Sequence, residues 1–382
     1  MKYAFYALLL LVFYTYFGYF LVLYAWSKVA RKKPPEDTGQ VYEPFVSVVI
    51  AARNEAQNIE ERILNILAQD YPGQKVEVII VSDGSQDETQ KLVQNHIERK
   101  TLHEGFNSVK LIALPKPEGK PNAINAGVAS ASGEIVVFAD ARQRFASDAI
   151  TQLVNSFKDK AVGCASGELV FEKTPGSLIE REMGAYWKFE KKIRRLESQT
   201  GSVAGATGSI YAIRRSLFRP IPPKTLLDDV LIPLTIRRQG YRVIFQSGAK
   251  AFDNPSHDFR EEKRRKIRTL AGNWQLLRMR PELLSPRHNP LFFKFFSHKV
   301  LRLLAPYALL GICISSLALP AGVSATTFAV FAASLALIVA HPHFEPGALM
   351  YKLATASRAF WFLNYTAFLA PFSLLGRREL WR

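Results

Sequence analysis

Polar and apolar positions divide this chain into two uncharged ends and a middle in which short apolar runs alternate with amphipathic ones. Residues 3–26 carry no charge and, at about 1.5 Å per residue, reach across a hydrocarbon core of about 30 Å. Tyr3, Tyr24 and Trp26 stand near the ends of that run, where amphipathic rings favour the membrane–water interface. A secretory signal is the competing reading, but the run is too long and no small-residue cleavage site precedes Arg31. Residues 303–319, 321–340 and 359–376 are also uncharged and of spanning or near-spanning length. Residues 290–298, rich in phenylalanine with Lys294 among them, read as an interfacial helix.

The middle follows a different rule. Residues 46–50 form an apolar, β-branched run leading into Ala51-Ala52-Arg53-Asn54-Glu55. A helix over 58–69 follows, with Ile59, Ile63, Ile66 and Leu67 at helical spacing. A second strand, 76–81, ends in Ser82-Asp83-Gly84-Ser85-Gln86-Asp87, and a helix runs on to His96. A third, 109–114, precedes Gly119-Lys120 and a small-residue helix. A fourth, 135–139, runs straight into Asp140. Runs without polar alternation fit strands buried on both faces of a parallel sheet. Strands alternating with helices predict an α/β, Rossmann-like, mostly parallel domain. In such sheets ligands sit beyond the carboxyl ends of the strands, so Asp83 and Asp140 point at a ligand or cap the next helix. Lys120 at its glycine turn is either a phosphate contact or a solvated surface lysine. Neither the dinucleotide glycine fingerprint nor a Walker phosphate loop is present.

Further on, 161–171 reads as another strand and 177–198 as a helix carrying Tyr186, Trp187 and Glu190. Trp187 is either core or a platform for a sugar face. Gly205-Ala206-Thr207-Gly208 is a small-residue loop ahead of a short strand, which lets backbone approach a ligand closely. Leu227-Asp228-Asp229-Val230 pairs two carboxylates before a helix, as an N-terminal cap with its dipole partner or as a chemical group. Residues 260–274 form a basic helix that suits a membrane surface.

Charge and cysteine usage narrow the partners. Fifty Lys and Arg against 33 Asp and Glu give a net charge of +17 over 382 residues, which points to phosphates, nucleotides or an acidic leaflet. Nucleic acid is not expected, because lipid and nucleotide account for the excess. Cys164 and Cys313 lie far apart, so neither a disulfide framework nor a zinc site is indicated. Lys28, Arg31, Lys32 and Lys33 follow the first span, against Lys2 alone before it. That asymmetry places the following domain in the cytoplasm.

In this order, Val46-Ser47-Val48-Val49-Ile50-Ala51-Ala52-Arg53-Asn54-Glu55, Ser82-Asp83-Gly84-Ser85-Gln86-Asp87, Gly119-Lys120 with Ala123-Ile124-Asn125-Ala126-Gly127, and Phe138-Ala139-Asp140 resemble the inverting glycosyltransferases of family 2, which have a GT-A fold. The similarity covers residues 45–275. It implies that Arg53, Glu55, Asp83 and Lys120 bind the nucleotide and that Asp140 meets the diphosphate through Mg2+ or Mn2+. It also implies that Asp229 is the general base beside Asp228, with Arg265 and Arg268 at the diphosphate; Trp187 and Gly208 join Asp228 on the acceptor side by the reading of their own segments. Two departures stand out. The family has Asp-x-Asp where this chain has Asp140-Ala141-Arg142; one carboxylate still suffices when a diphosphate and waters complete the metal's shell. Family members that build polysaccharides carry Gln-x-x-Arg-Trp, and here only Arg268 matches, with Arg265 and Thr269 in place of Gln and Trp.

The resulting expectation is an integral membrane enzyme that transfers a sugar with inversion from a nucleotide-sugar donor, a UDP-sugar, to a lipid-linked or polysaccharide acceptor. Its segments are an anchor with basic flank (1–33), a linker (34–44), a GT-A domain (45–280), an interfacial segment (281–300) and a region of two to three spans (301–382). Four spans in all would put both termini outside the cytoplasm, while Arg377, Arg378 and Arg382 favour the inside. Two other readings stand beside it: a processive polysaccharide synthase with its own channel, and a catalytically inactive nucleotide-binding scaffold.

Overall fold

The computed structural model describes residues 1–30, 41–98, 108–172, 178–254 and 259–374. Arg31, Lys32 and Lys33, most of the 34–44 linker, and Arg377, Arg378 and Arg382 lie outside the described residues. In chain order the principal elements are α1 (Lys2–Val29), β1 (Val46–Ala52), α2 (Ile59–Leu67), β2 (Val76–Asp83), α3 (Thr89–Glu98), β3 (Ser108–Leu114), α4 (Lys120–Ser130), β4 (Ile135–Asp140) and β5 (Arg144–Phe145). They continue with α5 (Ala149–Asn155), β6 (Val162–Phe171), α6 (Leu178–Gln199), β7 (Ile210–Arg214), α7 (Asp228–Arg238), β8 (Arg242–Asp253) and α8 (Phe259–Met279). Three helices complete the chain: α9 (Phe292–Ser316), α10 (Ala321–His343) and α11 (Leu349–Ser373).

The strands form one sheet in the order β3-β2-β1-β4-β7-β6-β8-β5. Strand β1 pairs in parallel with β2 on one side and β4 on the other, and β3 adds in parallel outside β2. Beyond β4 the sheet is mixed, antiparallel at β4–β7 and β7–β6 and parallel at β6–β8. The apolar runs bury both faces, as the absence of alternation requires. Val49, Ile79, Val81, Val136 and Phe138 pack on one side with Ile124 and Val128 of α4. Val48, Ile50, Val78, Ile80 and Val137 pack on the other with Ile59, Ile63 and Ile66 of α2. Each such side chain contributes about 1.5–3 kcal/mol of burial.

Register then positions the chemistry. Ala51 lies opposite Asp140 on one side and Val81 on the other, and Asp83 lies opposite Leu114, so the polar ends of the strands emerge at one edge. This edge, with β1 flanked by β2 and β4, is where doubly wound sheets open a crevice. The turn after β2 depends on glycine: Gly84 has φ +61, and a Cβ there would lie 2.5 Å from the Pro117 nitrogen. That close approach docks the turn on the segment leading to Lys120.

Helices α1, α9 and α10 are long and apolar enough to cross a membrane. Two expectations change. Residues 290–298 are not a separate interfacial helix: Phe292–Ser316 runs through continuously, with a π turn at Phe296–Val300. Lys294 and His298 are therefore buried against the catalytic domain rather than lying among headgroups. The third C-terminal run lies within α11, which begins ahead of it, carries Lys352 and Arg358, and packs on α8 through Phe362 against Phe259 at 5.0 Å. Lys352, Arg358 and Asn364 make α11 less apolar than α1, α9 and α10, and it is not among the spanning candidates of the described residues.

Candidate active site

Lys120 stands at the centre of the crevice. Its Nζ lies 2.7 Å from Asp140 Oδ1 at the end of β4 and 4.0 Å from Asp228 Oδ2 at the start of α7. Burial alone would lower the pKa of the ammonium, but Asp140, Asp228 and Asp229 together hold it above its ordinary value. Lys120 is placed by Asp83, whose two carboxylate oxygens accept the backbone N–H groups of Glu118 and Gly119 at 2.6 and 2.9 Å. Asp83 is buried, and these bonds fix the loop that opens α4.

The loops after β1 and β2 are laced together beside it. Asn54 N–H donates to Ser85 Oγ and its Oδ1 accepts from Gln86 N–H, at 3.1 and 2.9 Å. Glu55 N–H donates to Thr89 Oγ1, and its carboxylate accepts from Asn58 Nδ2 at 2.7 Å. Arg53 is exposed on the same edge.

Asp228 and Asp229 open α7 with different surroundings. Asp228 is buried, with the Tyr211 hydroxyl 3.5 Å from its Oδ2. Asp229 is half-buried. Burial and then the neighbouring Asp228 push its carboxyl up to about 6, although Lys120, Lys299 and Arg194 pull the other way. Gly208 faces it: a Cβ there would lie 3.0 Å from Asp229 Oδ2, so the bare backbone leaves room beside that carboxylate. Ala206 N–H donates to the Asp229 carbonyl at 2.7 Å, tying the 204–209 loop to the start of the helix.

Arg142, where the family has its second motif aspartate, is turned to protein carboxylates. It pairs with Asp253 at 3.2 Å and stands 3.9 Å from Glu261, which also pairs with Arg265. This chain of charges runs from the β4 turn to the basic helix α8, while Arg268 on that helix is exposed. Trp187 is neither deep core nor a bare platform. It is half-buried, its ring 5.4 Å from that of Phe171, with Lys266 Nζ 4.7 Å from its centroid.

On the membrane side, α6 meets α1 and α9 through buried charges. His298 lies 2.7 Å from Glu190 and 2.9 Å from Glu197 through its two ring nitrogens. Arg302 pairs with Glu190 at 2.7 Å and Tyr19 donates to Glu197 at 2.6 Å. Arg194 donates to Thr207 Oγ1 at 2.8 Å, which joins this network to the loop beside Asp229.

The structure thus brings together Lys120, Asp140, Asp228, Asp229 and Gly208, with Asp83 in support. The sequence reading missed four residues. Asp253 stands at the carboxyl end of a strand as Asp83 and Asp140 do, but β8 carries Gln246, Ser247 and Lys250 and gives no continuous apolar run. Arg62 lies between Ile59 and Ile66 on the inner face of α2 and is buried over the Phe145 ring, 4.0 Å from its centroid. Arg194 and Lys299 carry no local signal of a site. Among the described residues no three His, Cys, Asp or Glu side chains gather at metal-binding distance.

Comparison with known proteins follows the same outline. Residues 47–221 match the family described as glycosyl transferase family 2, and residues 135–341 match glycosyl transferase family group 2. A poly-beta-1,6-N-acetyl-D-glucosamine synthase of Staphylococcus aureus is 25% identical over 56% of this chain and 51% of its own. An N-acetylglucosaminyltransferase of Mesorhizobium japonicum is 32% identical over 45% of this chain and 40% of its own. The chain spans about half the length of the curated relatives it matches. A mannosyltransferase structure from Pyrobaculum calidifontis, in complex with GDP-Man and Mn2+, superposes with a TM-score of 0.76 at 24% identity and covers 99% of both chains. That likeness establishes the GT-A-like fold with apolar helices at both ends.

Proposed function

The chain belongs to glycosyl transferase family 2, and from that premise we propose that it transfers a sugar, with inversion, from a nucleotide-sugar donor to a lipid-linked or polysaccharide acceptor at the cytoplasmic face of a membrane. The observation that carries this reading is Lys120, which joins Asp140 to Asp228 at one edge of the sheet with Asp229 beside them. Arg53, Glu55 and Asp83 line the nucleotide side of that edge. Displacement of a nucleoside diphosphate passes through an oxocarbenium-like centre, while the attacking hydroxyl must lose a proton. Asp229 takes that proton: its raised affinity suits a base working near neutral pH, and Gly208 leaves space for the incoming hydroxyl. No covalent intermediate is required, because the leaving group is a good one and its charge is met by Lys120, with Arg265 and Arg268 from α8. A single displacement inverts the anomeric centre.

A divalent cation fits this donor set through Asp140, as Mg2+ or Mn2+, and the mannosyltransferase of the same fold was solved with Mn2+. When bound, the cation supplies charge that stabilises the departing diphosphate. Trp187, with Lys266 on it, shapes the acceptor side together with Asp228. Helices α1, α9 and α10 hold the domain where a soluble donor meets a membrane-bound acceptor, which favours productive orientation.

Two measurements test the reading. The purified full chain is incubated with a panel of UDP- and GDP-sugars, with and without membrane lipid extract, and nucleoside diphosphate release is followed. Release that lipid extract stimulates is expected; none from any donor would end the proposal. Cysteines placed in residues 34–44 should resist an impermeant label in intact cells, and labelling from outside would reverse the orientation.

A further inference from the structure

Helix α6 grips the loop beside Asp229 at two points. Arg194, itself half-buried, donates from Nη1 to Thr207 Oγ1 at 2.8 Å. One turn further on, Glu197 Oε2 accepts the Ala204 N–H at 3.4 Å. Thr207 passes the first of these holds to the sheet: its hydroxyl donates to the Gly167 carbonyl and its N–H to Ser166 Oγ, each at 2.8 Å. The register of β6 against β8 shifts between Ser166 and Glu168, an irregularity of the kind that leaves a ladder group free for another partner.

The same loop is tied to Asp229. Ala206 N–H donates to the Asp229 carbonyl at 2.7 Å, and Gly208 faces the Asp229 carboxylate. Thr207 sits between these two points, so a shift of Thr207 moves both. Arg194 is not spent on an ion pair: Glu190 stands 4.0 Å away, and its other oxygen is bonded to Arg302. A planar guanidinium loses little freedom per bond formed, which suits a fixed strut. Glu190, one turn back on α6, is held by His298 and Arg302 of α9. The strut therefore runs from a helix long and apolar enough to span the bilayer to the loop that meets Asp229.

We propose that Arg194 is a positioning residue for the transfer step: by holding Thr207 it sets the 204–209 loop against Asp229 and so fixes the space into which the attacking hydroxyl comes. This rests on the glycosyl-transfer reading above and adds a residue that sets its geometry. Arg194 acts through Thr207, on the acceptor side, and the nucleotide side of the crevice does not depend on it. A displacement of about 1 Å at a reacting centre can cost about 100-fold in rate. Loss of this one bond, with the Ala204 and Ala206 ties still in place, should cost less.

The test uses the full chain in nanodiscs and compares Arg194→Met, Thr207→Val, Thr207→Ser and the double variant of Arg194→Met with Thr207→Val. Hydrogen exchange at the Ala206 and Thr207 amides reads the loop, and nucleoside diphosphate release reads transfer. Arg194→Met and Thr207→Val should each speed that exchange and lower kcat by about tenfold, the size of one charge-assisted hydrogen bond, with donor KM unchanged. Thr207→Ser, which keeps the hydroxyl, should match the parent in both. The double variant should lose no more than Thr207→Val alone, because both changes remove the same bond. Unchanged exchange and kcat in Arg194→Met overturn the proposal, as do losses that multiply in the double variant or a raised donor KM at unchanged kcat. Should Arg194→Met fail to fold, Arg194→Lys takes its place: it should lower kcat by less, and Thr207→Val should abolish the difference between Lys and Arg. No difference, or one that persists, overturns the proposal. If the parent releases no diphosphate from any donor, the glycosyl-transfer reading fails and exchange alone decides: faster exchange upholds the grip of Arg194 on the loop, and unchanged exchange overturns it.

Discussion

Two pairs of acidic residues lie on either side of the 204–209 loop, and Asp229 in one of them is driven the opposite way from both carboxyls of the other. Around Glu190 and Glu197, burial alone would raise both carboxyls, but cationic and hydrogen-bonding partners hold them below the ordinary carboxylate range. For Glu190 these are Arg302 and His298; for Glu197 they are His298 and Tyr19. Asp229 has another carboxylate as its neighbour, and Lys120, Lys299 and Arg194 only partly offset burial and Asp228. The contrast shows that the number of donors facing a carboxylate, more than its depth, decides whether it stays ionised. The first group is closed and joins α1, α6 and α9. The second is open, and the proton affinity it retains is what a base needs.

The sharpest break in this comparison is expected from Glu190→Ala. Removing the carboxylate shared by His298 and Arg302 leaves buried positive charge uncompensated and should cost about 3–5 kcal/mol, read as a large drop in unfolding midpoint in detergent. An unchanged midpoint would mean the group is not a closed structural unit.

Asp229→Asn should do the reverse, keeping fold and donor binding while lowering turnover by at least about 100-fold. In the parent enzyme turnover should fall as pH drops through about 6, when the base becomes protonated. The stability term has the other sign. A carboxyl whose folded pKa is raised contributes stability below its unfolded pKa and loses it as pH rises through about 6. The amide should therefore unfold at a higher midpoint than the parent at pH 7. A helix-cap role alone predicts instead a loss of about 1 kcal/mol with turnover largely intact. Retained anomeric configuration in the product would also remove Asp229 from this role.

Asp140→Ala should weaken donor binding and turnover together, by about tenfold or more, and excess chelator should reproduce the loss in the parent. Arg142→Asp restores the usual motif and should tighten metal binding. Undiminished activity in chelator would assign the diphosphate charge to Lys120 and Arg142 instead. The smallest effect is expected from Asp228→Asn: a few-fold change in rate, with the acid limb of the pH profile shifted downward because the neighbour that raises Asp229 is gone. An unmoved acid limb would show that burial alone sets the affinity.

Much of this was legible in residue order. Asp83 and Asp140 were readable because each ends an apolar strand, whereas Asp253 ends a strand interrupted by Gln246, Ser247 and Lys250 and had no such signal. The helical period of Ile59, Ile63 and Ile66 located the face on which Arg62 is buried, though nothing marked the arginine itself. The reading of 290–298 failed because a phenylalanine-rich stretch with one lysine suits a headgroup layer as well as a protein groove. Only the carbonyls of Glu197 and Ser202, which receive Lys294, distinguish the two. The family pattern predicted a carboxylate at position 142, and no local feature indicated that Arg142 would turn to Asp253, 111 residues away in sequence.

By itself the sequence determined the period of each segment, hence which runs become buried strands, which become helices long enough to span a bilayer, and which carboxylates end at the crevice. These follow from burial and hydrogen bonding among near neighbours in the chain. Tertiary structure decided which charges meet. His298 lies 108 residues from Glu190, and Lys120 reaches Asp228 only because α7 begins beside the edge of β4. Charge interactions depend on distance and on the donors that survive desolvation. Neither is written in local order, so the sequence could name Glu190 and Asp229 but not say that one would be held ionised and the other left ready to take a proton.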